Sequence, residues 1–163
     1  LGGFGLLVSI SLVTTFTLIL AGSYMVGQGY GSTCASWPLC GGSLLPQGEA
    51  AAVHMSHRFA AVLLGAMIAA TAASAWSLKP ARQDLKRASL IVAGLYAVQV
   101  LVGAATVWSE YSTALRAAHL ATATLVWVSL VYLTTLNFSP QRFELRKTEE
   151  SAAAGSGLGR VAL

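Results

Sequence analysis

No formal charge occurs before Glu49, and inside that uncharged stretch Phe4 to Val26 is almost continuously apolar. A segment of that kind can sit in hydrocarbon only if it satisfies its own backbone hydrogen bonds, so it reads as a membrane-spanning helix. At roughly 1.5 Å per residue it is long enough to cross a layer ~30 Å thick. Three further apolar runs follow, at about 50–78, 88–108 and 114–138, with Arg58 the only formal charge in the first of them after Glu49. The fold class this predicts is an all-α integral membrane protein, a bundle of four transmembrane helices. With 55% hydrophobic and 10% charged residues, the chain also lies far from an ordinary soluble domain.

The connections carry the topology. Residues 27–49 form a loop rich in Gly, Ser and Pro that holds both cysteines, Cys34 and Cys40. The connection from Lys79 to Arg87 and the start of the tail, 141–147, hold seven of the ten basic residues, namely Lys79, Arg82, Lys86, Arg87, Arg142, Arg146 and Lys147. Positive charge confined to short connections reports orientation, so the net charge of +4 is no sign of a nucleic-acid partner. Those segments are expected in the cytoplasm of a prokaryote, with the multi-pass chain in its plasma membrane and the cysteine loop outside. Trp37, Trp108 and Tyr111 fall on that outer side, as interfacial aromatics do, and an outside location permits a Cys34–Cys40 disulfide. Residues 1–138 thus read as one transmembrane unit and 139–163 as a flexible cytoplasmic tail or linker, rich in Ser, Ala and Gly beyond its charged start. The chain opens Leu1-Gly2-Gly3 without Met or a basic leader, and reads as part of a longer polypeptide.

Ionisable groups inside a bilayer are costly, which singles out the three histidines. His57 and His119 lie at matching depth, roughly 8 to 10 Å below the outer interface, on two helices that run in the same direction. Ala61 and Ala123, four residues further in, are small enough to leave room for a flat group between the helices. Facing imidazoles suit bis-histidine ligation of a haem iron. A histidine bonded to a neighbouring helix is the other reading of each. His54, one turn outward of His57, fits an interfacial role beside water or a haem propionate as well as it fits ligation. Arg58 and Arg116 can snorkel to lipid phosphates or pair with propionates. Zinc on His54, His57 and His119 is a further alternative, weakened by the absence of Cys or carboxylate at that depth.

The ordered set Gly22-Ser23-Tyr24, Gly31-Ser32-x-Cys34-x-x-Trp37-Pro38-Leu39-Cys40, His57-Arg58, Gln99-x-x-x-Gly103-x-x-Thr106-Val107 and His119-Leu120 resembles the haem A synthase family. The resemblance runs over residues 1–138, and the Cys-x-x-Trp-Pro-Leu-Cys loop is its sharpest part. It implies eight helices in two similar four-helix halves, each with a histidine pair, and oxidation of the C8 methyl of haem O to the formyl of haem A for terminal oxidases. Carried over by position, His57 and His119 become axial haem ligands, and Cys34 and Cys40 the loop cysteines. The family's substrate-handling half has a glutamate three residues before its first ligand histidine; this chain has His54 there. The resemblance therefore implies the C-terminal half, with haem b as cofactor and the catalytic residues elsewhere.

The partners expected on this basis are the lipid membrane, the second four-helix half, and a haem O synthase or a quinone or other electron donor. Haem O and haem A are substrate and product of the whole protein. A compact single-half member acting as an oligomer is an alternative architecture. Two other functions compete: a non-catalytic membrane cytochrome b subunit for electron transfer or oxidase assembly, and a quinone-linked membrane thiol oxidase. The last wants a second cysteine pair, and this chain has two cysteines in all.

Overall fold

The computed structural model describes residues 3–78 and 82–139. Four helices follow one another, α1 (Gly3–Gly27), α2 (Glu49–Trp76), α3 (Gln83–Trp108) and α4 (Thr113–Phe138). Each is long and apolar enough to cross a membrane. Their outward faces are apolar too, with Val13, Val62 and Leu101 each more than 60% exposed. Water would penalise such a surface and lipid accepts it, so the chain is a multi-pass membrane protein with a four-helix bundle fold.

The helices alternate in direction around a square. α1 packs on α2 and α4, and α3 packs on α2 and α4, which leaves α2 diagonal to α4. One end of the bundle holds the 28–48 connection, with a short 3-10 turn at Tyr30–Ser32, and the tight turn at 109–112. The other end holds the α2–α3 connection. There Arg82 donates to the Leu136 carbonyl at 3.0 Å, capping an α4 carbonyl that has no partner in its own helix. The Lys86 ammonium lies 5.9 Å from the Trp76 ring, joining the end of α2 to the start of α3.

The buried apolar core is not spread evenly along the bundle. Val8, Leu64, Ile68, Leu85, Val92, Val126, Leu130 and Leu133 are each at most 3% exposed, and they fill the half nearest the α2–α3 connection. The half nearest the cysteine loop carries the histidines, glycines and amide described below.

α3 begins at Gln83, five residues before the apolar run that signals it in the sequence. Lys86 and Arg87 are therefore helical and not part of a loop. Asp84 in the first turn suits the positive end of the helix dipole, and Leu85, 1% exposed, ties that polar turn to the core. α2 stops at Trp76, two residues short of the expected limit, with Ser77 as its cap. α4 starts at Thr113, where the Ser112 hydroxyl accepts from the Leu115 amide at 3.4 Å. The tail expected to be flexible lies outside the described residues, apart from Ser139.

Candidate functional site

His57 follows Glu49 by eight residues on α2, and His119 follows Thr113 by six on α4. The two residues of difference amount to about 3 Å of helix rise, so the rings occupy nearly the same level. They belong to diagonal helices and lie within electrostatic range of each other. Each ring leans on a glycine of the helix that precedes its own. A Cβ built on Gly22 of α1 would stand 3.4 Å from Cε1 of His57, and one on Gly103 of α3 would stand 2.9 Å from Cε1 of His119. At Gly103 the missing side chain is what admits the imidazole, whereas a Cβ on Gly22 would make an ordinary contact with its ring.

Nδ1 of His57 and of His119 are buried with no hydrogen-bond partner among the described residues. Orphaned nitrogens of that kind are rare inside proteins, and they are donors an iron accepts. The chemistry of the set, two neutral imidazoles with no carboxylate or thiolate, fits a haem better than zinc. Among the described residues no three His, Cys, Asp or Glu side chains gather to hold a metal ion. On the inward side Tyr96 lies beside Ala61: its hydroxyl donates to the Ala61 carbonyl and its ring packs over Gly65.

Sequence reasoning missed Thr122 and attached no role to Gln99, although Gln99 stands in the recognised motif. Gln99 stands one turn before Gly103 on α3, with its amide nitrogen 3.2 Å from Nε2 of His119. Its amide oxygen accepts from the Thr122 hydroxyl. Both are ordinary polar residues in apolar runs, and the signal that could have found them is that a membrane helix seldom carries an unpartnered amide.

His54 is 5% exposed, placed under the loop with the Tyr111 ring edge-on at 6.4 Å. Its Nδ1 is also buried without a partner. Arg58 reaches into the cysteine loop, its Nη2 passing 3.5 Å from Nε2 of His54. Its Nη1 donates to the carbonyls of Ser36 and Pro38 at 2.8 and 2.9 Å, and its Nη2 to that of Cys34 at 3.4 Å. Tyr111, at positive φ in the α3–α4 turn, donates to the same Cys34 carbonyl. Burial raises its phenol above the usual range, an effect that Arg58 partly opposes. Trp37 and Trp108 meet edge-on with centroids 5.8 Å apart, so the two connections at this end form one cover. Within it the sulfurs of Cys34 and Cys40 are 2.11 Å apart. Arg116 lies exposed on the first turn of α4, away from these contacts.

Residues 2–131 match the COX15-CtaA family, described as cytochrome oxidase assembly protein. Among similar proteins, the Heme A synthase of Alkalihalophilus pseudofirmus is 32% identical over 136 residues, covering 82% of this chain and 46% of that protein. The Heme A synthase of Halalkalibacterium halodurans is 32% identical over 138 residues, covering 83% and 45%. Protoheme IX farnesyltransferase 1 of Natronomonas pharaonis is 33% identical over 129 residues, covering 79% of this chain and 27% of that protein. The chain spans about half the length of the haem A synthases it matches. A family match over most of the chain, on a bundle with two glycine-backed histidines at one level, places this chain in the COX15-CtaA family of cytochrome oxidase assembly proteins.

Proposed function

We propose that this chain is one four-helix half of a haem A synthase, and that His57 and His119 hold a b-type haem between α2 and α4. The observation that carries the reading is the pair of buried, unpartnered imidazole nitrogens on diagonal helices, each ring seated on a glycine. When bound, the haem supplies one-electron transfer. With His57 and His119 both given to the iron, the bound group would supply electron transfer, and the methyl oxidation would belong to the other half of the protein. His54 supports the same division: it stands where the substrate-handling half carries a glutamate.

The remaining residues hold and cover the site. Arg58 is spent on loop carbonyls, so it braces the cover. Arg116, exposed one turn above His119, is left to meet a propionate or a lipid phosphate. A Cys34–Cys40 disulfide closes the loop on itself and faces the outside of the cell, while Arg82, Lys86 and Arg87 face the cytoplasm. The relative from Natronomonas pharaonis is named for protohaem farnesylation and contains a segment like this chain within a longer polypeptide. That likeness supports a working partnership with a farnesyltransferase, which would supply the farnesylated haem.

The optical spectrum of the purified full-length polypeptide carrying this segment tests the site. A reducible low-spin haem signal is expected, and its absence removes the ligand assignment. In cells, His57→Ala and His119→Ala in that polypeptide are expected to abolish haem A. Normal haem A in both variants overturns the synthase reading.

A further inference from the structure

The connection between α1 and α2 does not stay above the helices. Near its end, Leu44, Leu45 and Pro46 form one wall of a groove of about 190 Å³, and Ala52, Ser56 and Phe59 of α2 form the other. Ala52 to Phe59 is about 10 Å of helix rise, so this tip of the loop lies alongside the first three turns of α2. Leu45 is 80% exposed there, and through Phe59 the groove is continuous with Val62 on the lipid-facing surface of the helix. Irregular backbone enters hydrocarbon only where its polar groups are satisfied. Here the Ser43 amide donates to the Cys40 carbonyl at 3.1 Å, the Leu45 amide donates to the Ser43 hydroxyl at 3.2 Å, and Pro46 has no amide hydrogen. The Ser56 hydroxyl donates to the Ala52 carbonyl at 2.9 Å, so the groove offers no free side-chain donor to a polar head group. Its volume is also below the ~300–1,000 Å³ of sites that enclose a whole small molecule. A hydrocarbon chain meets both limits.

We propose that Leu44–Pro46 dips into the leaflet on the cysteine-loop side, and that the groove it forms with α2 takes a lipid acyl chain, tying the cover of the bundle to the membrane. A nitroxide on an introduced thiol reads its surroundings through collisions with oxygen, which concentrates in hydrocarbon, and with a water-soluble nickel chelate, which does not. The full-length polypeptide, unreduced, is labelled at Leu45→Cys or Ser56→Cys and reconstituted in vesicles of phosphatidylcholine and phosphatidylglycerol. Val62→Cys, exposed on the outward face of α2, is the lipid reference, and Gln28→Cys, exposed just beyond α1, is the water reference. The unsubstituted protein, treated alike, gives the blank. Leu45→Cys and Ser56→Cys are expected to show the oxygen-to-nickel ratio of Val62→Cys. A ratio like that of Gln28→Cys at either position overturns the proposal. Shielding from both reagents also overturns it, and assigns the groove to protein, either the rest of the polypeptide or a second copy. If Leu45→Cys fails to fold, Leu44→Cys takes its place, with the same expected and overturning results.

Discussion

Alanine at Gly103 separates the stability of the bundle from its capacity to hold haem. The added Cβ would lie 2.9 Å from Cε1 of His119, whereas carbon atoms pack at about 3.5–4.0 Å, so the ring must retreat by about 0.6–1.1 Å. Overpacking of this kind costs about 1–3 kcal/mol. Replacing a glycine inside a helix by alanine returns about 1 kcal/mol, so the net change in stability is small. A metal ligand, by contrast, tolerates about 0.2 Å, several times less than the displacement. Gly103→Ala should therefore leave the thermal midpoint within a few degrees and strip most of the haem. Gly22→Ala, whose Cβ would make an ordinary 3.4 Å contact with His57, should keep most of it. Gly94→Ala, with nothing within 4 Å, should keep all of it and gain stability. The assay is the haem-to-protein ratio after purification of the three full-length variants, alongside thermal unfolding. Equal haem in Gly103→Ala and Gly94→Ala would refute the claim that the α3 glycine seats a ligand ring.

Arg58→Ala should destabilise the cover by about 2 kcal/mol, since three loop carbonyls lose a charged donor, the total being discounted for partial exposure. Added protease should then cut the 28–48 loop faster, while Arg116→Ala behaves as the unsubstituted protein. A maleimide should label no cysteine in denatured, unreduced protein and two per chain after reduction; labelling without reductant would remove the disulfide. Tyr111→Phe should cost about 1 kcal/mol through the lost bond to the Cys34 carbonyl. Because the folded phenol titrates above its unfolded value, its contribution is whole below about pH 10 and is lost as the pH rises through the raised value. The unfolding midpoint of the unsubstituted protein should accordingly fall more steeply than that of Tyr111→Phe over this window.

How legible each feature was depends on how local its cause is. The four helices could be read directly, because apolarity over twenty residues suffices to make a membrane span whatever surrounds it. The start of α3 could not, since its first turn is polar and only the burial of Leu85 against the core shows that it belongs to the helix. Nothing local to Arg58 shows that its guanidinium lies among the carbonyls of Cys34, Ser36 and Pro38, twenty or more residues away in sequence. Gly22, Gly103 and Gln99 stood in the recognised motifs with no role attached, because what a glycine or an amide does is set by what approaches it.

The sequence by itself determined the membrane class, the helix count and the level of His57 and His119. Each follows from hydrophobic length and a fixed rise per residue. Only the tertiary structure decided that α2 and α4 are diagonal and that each imidazole lies on a glycine of the preceding helix. It also decided that Gln99 meets the ring of His119 and not that of His57. Those are relations between helices, and they arise from side-chain packing across the bundle, which no periodicity within a single helix encodes.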